Sequence, residues 1–213
     1  AYGYGLLQGR ESLTVVLVGP SHRAAFHGVA VQARGAWDTP LGRTPVDEEV
    51  AGALVEASEA IVDDATVHRD EHSLEMQVPF LQRLIPDLRV VPAMMGHQSR
   101  DQVEALADAL ARALEGRDNV VLVASSDLSH FHPAEIANRE DGVVVEQVGA
   151  FDDEALMKRL ESRENVACGG GPMVTVMKAA RALGADQASI LKYADSGDAG
   201  GGKDQVVGYL SAA

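Results

Sequence analysis

Cysteine is almost missing from this sequence: Cys168 is the one thiol among 213 residues. A lone cysteine excludes an internal disulfide and any CxxC metal knuckle, and it points to a reducing, cytoplasmic compartment. Cations are scarce as well. Lys and Arg number 18 against 32 Asp and Glu, a formal net charge of −14. Nucleic acids and anionic membranes are bound through clustered cations, and no run of Lys and Arg interrupts the acidic background. Neither is an expected partner. Aromatic residues make up only 4%, so the surface reads as well solvated. Apolar runs are short: none approaches the ~18 residues of a membrane span, and no signal-peptide pattern opens the chain. What remains is an acidic, soluble, globular chain. At this length one large domain is expected, burying roughly 70% of the surface that the unfolded chain exposes.

The dominant rhythm is a short β-branched run, a polar loop, then a segment of helical period. Leu13 to Val18 and Val120 to Ala124 are apolar without alternation and read as fully buried strands. Gly28 to Ala33, Arg89 to Ala93, Ile190 to Ala194 and Gln205 to Ser211 read as further strands of the same sheet. Thr44-Pro45-Val46-Asp47 has the form of a helix start with Thr44 as the cap. Ser73 to Leu84 predicts a helix kinked at Pro79, and Ser99 with Gln102 has capping-box spacing for the next. Pro133 to Ala150, Asp152 to Arg163 and Pro172 to Leu183 supply three more, the last closed by Gly184. This alternation predicts a single α/β domain with a mostly parallel central sheet flanked by helices.

In such a sheet, ligands bind beyond the carboxyl ends of the strands. Gly19-Pro20-Ser21-His22, Gly96-His97 and Ser125-Ser126-Asp127-Leu128-Ser129-His130-Phe131-His132 each follow a strand. His22 and His130, beside Ser or Asp at the end of a buried strand, are the candidate site histidines. His27 and His97 read as ordinary solvated loop residues. Cys168-Gly169-Gly170-Gly171-Pro172 precedes a helix. Free glycine N–H groups there suggest an anion nest and a thiol of depressed pKa. Thiolate with imidazole suits iron, copper or zinc.

His68-Arg69-Asp70-Glu71-His72 matches H-x-x-E-H, an inverted zinc-peptidase motif. On a helix His68 and His72 would share a face with Glu71 as base, but only Glu146 offers itself as a third ligand. The bland alternative is a cluster of acids at a helix start. Gly197 to Asp204 has the glycines and the lysine of a phosphate loop. Asp204 replaces the magnesium-binding Ser or Thr and a strand follows, so the segment reads as a surface loop.

Four segments together resemble the Memo family, called AmmeMemoRadiSam system protein B in bacteria and archaea. They are GPSHR at 19–23, DEHSLEMQVPF at 70–80, SSDLSHF at 125–131 and ACGGGP at 167–172, with Tyr193 to Asp198 and Val206 to Tyr209 also similar. The resemblance implies the fold of class III extradiol, LigB-type dioxygenases. It implies a pocket holding one ion of iron or copper, with zinc less favoured. By resemblance His22 and Cys168 are metal ligands, while Asp127, His130 and His72 line the pocket as catalytic or orienting groups. The family's first histidine lies in a Pro-His-Ala-Gly-Tyr segment upstream of the point where this chain begins, so a further ligand is expected from outside it. The implied chemistry is that of an oxidoreductase or dioxygenase. The alternative is a binding protein without turnover, taking a small molecule or a peptide, or partnering AMMECR-type and radical SAM proteins.

Overall fold

A computed structural model describes residues 2–213. After a single helical turn at α1 (Tyr2–Gly5), the long strand β1 (Ser12–Pro20) forms the centre of the fold. It pairs in parallel with β6 (Asp87–Met95) on one side and β7 (Val120–Ala124) on the other. Beyond β6 lie β2 (Val29–Val31) and β5 (Ile61–Asp63), completing a five-stranded sheet of order β5-β2-β6-β1-β7. Three of its four pairings are parallel; β2 runs antiparallel to β6.

Period-two alternation along β1 explains why helices cover both faces. Val16 and Val18 enter one core with Val50 and Leu54 of α2 (Glu48–Ala57), Leu106 and Leu110 of α4 (Arg100–Leu114), and Val174 of α7 (Gly170–Ala182). Leu13, Val15 and Leu17 point the other way, onto Leu74 and onto Val78 and Leu81 of α3 (Val78–Gln82). A strand buried on both faces reads as an unbroken apolar run, which is why it was legible. Val120 to Ala124 is only half-buried, because β7 is the edge of the sheet.

Several local expectations are corrected. Thr44 is not a helix cap: it lies in β4 (Gly42–Pro45), hairpinned to β3 (Ala36–Thr39), and Asp47 caps α2 by accepting from Val50 N–H at 3.1 Å. Ser73 to Leu84 is not one helix. It divides into a 3-10 turn at Glu75–Gln77 and the short α3, with Pro79 in its first turn where no N–H is needed. Ser99 precedes α4 without a side-chain cap bond. The last two strands do not extend the central sheet. β9 (Ile190–Asp195) and β10 (Val206–Ala212) join β8 (His130–His132) in a separate antiparallel sheet. Helices α5 (Ala134–Gly149) and α6 (Asp153–Ser162) fall where their periodicity places them. The glycine-rich segment after β9 forms a 3-10 turn, Ser196–Ala199, capped by Asp195. No helix among the described residues is long and apolar enough to cross a membrane.

Candidate metal centre

The loops that leave the carboxyl ends of β1 and β7 meet a third, residues 66–77. Gly19 makes the close approach possible: a Cβ there would sit 2.5 Å from Leu74 Cδ2. Ser73 Oγ donates to Pro20 O at 2.8 Å and Ser21 N–H to Met95 O at 2.9 Å, which places His22 directly over the ends of the central strands.

Beneath His22 lies a buried carboxylate. Glu71 accepts from His22 N–H, from His22 Nδ1–H at 3.0 Å, from His72 N–H at 2.8 Å and from Ser73 N–H at 3.0 Å. Burial works against its charge, but those bonds outweigh the penalty and hold its pKa down to about 2. An ionised carboxylate can only accept, so His22 Nδ1 is the donor of this pair and Nε2 is the ring nitrogen that Glu71 does not occupy. His72 stacks on His22 with ring centroids 5.0 Å apart, its Nδ1 3.1 Å from the same Glu71 oxygen. His22, Glu71 and His72 offer ligand atoms within 4.8 Å of one another, a donor set suited to a metal ion.

The loop after β7 is tied to this group. Ser125 Oγ donates to Ser73 O at 2.6 Å and accepts from Gln77 Nε2 at 2.9 Å. Asp127 and Cys168 are bonded reciprocally: Asp127 N–H donates to Cys168 Sγ at 3.2 Å, and Cys168 N–H to Asp127 O at 3.2 Å. His130 Nε2 lies 3.6 Å from Asp127 Oδ2. Phe131, next to it, is 72% exposed with φ of 62°, a conformation that costs a bulky side chain of order 1–3 kcal/mol.

The structure therefore gathers His22 with His72, and Asp127 with His130 and Cys168. It does not put Cys168 within the His22–Glu71–His72 group. Two expectations about the cysteine segment are overturned. Burial pushes the Cys168 thiol up rather than down, with the Asp127 N–H a smaller opposing influence. The glycine N–H groups form no anion nest, because Gly169 N–H donates to Ser126 Oγ, Gly170 N–H to Ala167 O and Gly171 N–H to Gln98 Oε1.

The peptidase arrangement is not formed either. His68 lies in a 3-10 turn, Thr66–His68, with its ring buried and Nε2 donating to Ala30 O at 3.2 Å, so it shares no helical face with His72. Sequence reasoning missed the work of Glu71, Ser125 and Gln98. The signals for Glu71 were its place as the base in H-x-x-E-H and in the DEHSLEMQVPF segment; its clamp on His22 joins a different loop.

Comparison with known proteins shows the family and the fold. A family model described as Memo-like protein matches residues 1–213. A MEMO1 family protein of Sulfolobus acidocaldarius is 37% identical over 99% of this chain and 74% of its own length. One from Methanopyrus kandleri is 38% identical over 93% of this chain and 71% of its own. In solved structures, an uncharacterized protein of Escherichia coli K12, JW3007, superposes with a TM-score of 0.57 over 96% of this chain and 88% of that one. At 16% identity that likeness shows the fold alone. The chain belongs to the Memo-like protein family.

Proposed function

We propose that this chain is a cytoplasmic protein that binds a single ion of iron or copper beyond the carboxyl ends of β1, β6 and β7, and that it carries oxidoreductase chemistry of the dioxygenase type there. The observation that carries the reading is the Glu71–His22 contact. A buried carboxylate that holds a histidine by Nδ1 directs Nε2 outward as a metal donor, a recurrent support for metal-ligating histidines. His22 is the first ligand. Cys168 is the second, as family resemblance implies; its thiol, kept neutral by burial, is released as thiolate against a cation. Zinc is the less favoured ion. Bound there, iron or copper supplies Lewis acidity and one-electron redox chemistry.

The remaining roles fall to this chain's own groups. Asp127 and His130, 3.6 Å apart, form an acid–base pair that moves a proton to or from bound substrate. His72, half-exposed beside His22, contacts the ligand from the other side. The test is elemental analysis of anaerobically purified protein, followed by oxygen uptake with catechol-like substrates. About one iron or copper per chain, lost in His22→Ala and Cys168→Ala, supports the ligand set. Loss in His72→Ala but not in Cys168→Ala would transfer the ion to the His22–Glu71–His72 group.

One observation favours a second reading. Phe131 projects from the site loop in a left-handed conformation, and strain of that kind gathers at ligand clamps. A non-catalytic protein that docks a peptide, an AMMECR-type protein or a radical SAM protein would use such a residue. Tight complex formation without oxygen-dependent turnover, weakened by Phe131→Ala, would decide for it.

A further inference from the structure

Two histidines lie outside the constellation above. β2 and β6 run antiparallel with Val29 opposite Met95. Counting two residues outward on each chain brings His27 opposite His97. The backbone stays joined past the strand ends: Gly96 N–H donates to Gly28 O at 3.2 Å, and His97 N–H to Phe26 O at 2.9 Å. Residues opposite each other in an antiparallel pair present their side chains on one face with Cβ atoms about 4.5–5.5 Å apart. The two imidazoles accordingly lie with ring centroids 4.6 Å apart and planes inclined by 34°.

Both rings are exposed, while the backbone beside them is closely packed. A Cβ on Gly96 would meet Phe26 O at 2.0 Å, and one on Gly28, at φ of 92°, would meet Ala60 O at 2.5 Å. Glycine at both positions is what lets the two chains close so tightly.

We propose that His27 and His97 form a cross-strand two-histidine site for a divalent first-row ion of the nickel, copper or zinc type. Imidazole nitrogens bind such ions at about 2.0–2.1 Å, and two rings that the register already places side by side need little rearrangement to close around one ion. Two protein ligands leave the other positions to water or to donors from outside the chain. The site is separate in residues from the centre above and stands whether or not that reading holds.

The test titrates metal-free chain carrying His22→Ala, His72→Ala and Cys168→Ala with nickel chloride by calorimetry. One ion per chain is expected, and further substitution of His27→Ala or His97→Ala should abolish its binding. A second measurement uses the unaltered protein. Copper(II) added beyond the one equivalent that the first centre could hold should broaden the ring proton resonances of His27 and His97 together, and His27→Ala should remove the broadening at His97. Nickel binding unchanged by either substitution, or copper broadening that leaves both rings sharp, would overturn the proposal.

Discussion

Glu71 Oε1 lies 3.0 Å from His22 Nδ1, and the Glu71 side chain has no solvent exposure. Because the carboxylate also takes the backbone N–H groups of His22, His72 and Ser73, it joins the β1 loop to the 71–74 loop as one unit. Glu71→Gln keeps the size but sets an amide against N–H donors, leaving buried groups mispaired. Metal affinity is expected to fall by about 10–100-fold, the usual loss when a ligand's support is removed. Competition with a chelator of known affinity measures it.

The same carboxylate gives a pH dependence with a definite sign. Its ordinary pKa of 4.5 is lowered to about 2 on folding. The stabilisation is therefore fully present above pH 4.5 and lost as pH falls towards 2. A shift of this size corresponds to roughly 3 kcal/mol. Denaturant melts of the metal-free protein should show this acid loss, and Glu71→Gln should flatten it. A parallel pH profile for the variant would exclude Glu71 as its source.

Cys168 should be a slow nucleophile. Burial raises its pKa, so the thiol is neutral at pH 7 and the thiolate fraction is small. Alkylation of metal-free protein by iodoacetamide at pH 7 is expected to run slower than that of a free cysteine and to accelerate as pH rises. Reaction faster than the free amino acid would mean an activating environment that the geometry does not contain.

Gly169 fixes the spacing between the cysteine loop and the loop after β7. A Cβ there would lie 2.2 Å from Ser125 O, a backbone atom that cannot swing aside. Gly169→Ala should destabilise by about 1–3 kcal/mol, as overpacking does, and should weaken metal binding if Cys168 is a ligand. Thermal melts beside metal titration separate the two effects.

Asp141 supports the His130 side of the site from below. It is 1% exposed, accepts from Ser129 N–H at 3.0 Å and from Tyr193 OH at 2.8 Å, and so links α5, β9 and the site loop. Asp141→Ala leaves two donors without partners, and a loss of about 1–3 kcal/mol for each buried one is the expected scale. Faster hydrogen exchange at Ser129 N–H than in the unaltered protein would locate the damage in that loop.

How much of this was legible depends on the range of the interaction. The runs Leu13 to Val18 and Val120 to Ala124, the periodicity of Pro133 to Ala150 and Asp152 to Arg163, and the closing glycine Gly184 are local signals, and each element formed where its pattern lies. His22, Asp127, His130 and Cys168 stood out because they follow strands or precede a helix. Those same local rules misplaced Thr44 and Ser73 to Leu84. There the competing partners lie far along the chain: Gln82 Nε2 donates to Thr44 Oγ1 at 2.8 Å, and the loop of Ser73 is held by Pro20 and Ser125.

Composition and periodicity by themselves determined an acidic α/β domain, the positions of most strands and helices, and the end of the sheet where chemistry would gather. Only the tertiary structure decided that Glu71 clamps His22, that burial raises rather than lowers the Cys168 pKa, that His68 turns into the core, and that His27 faces His97. Each of these depends on which atoms from distant segments come within hydrogen-bond or van der Waals reach. Reach of that kind is set by β-sheet register and loop closure, which no short window of sequence contains.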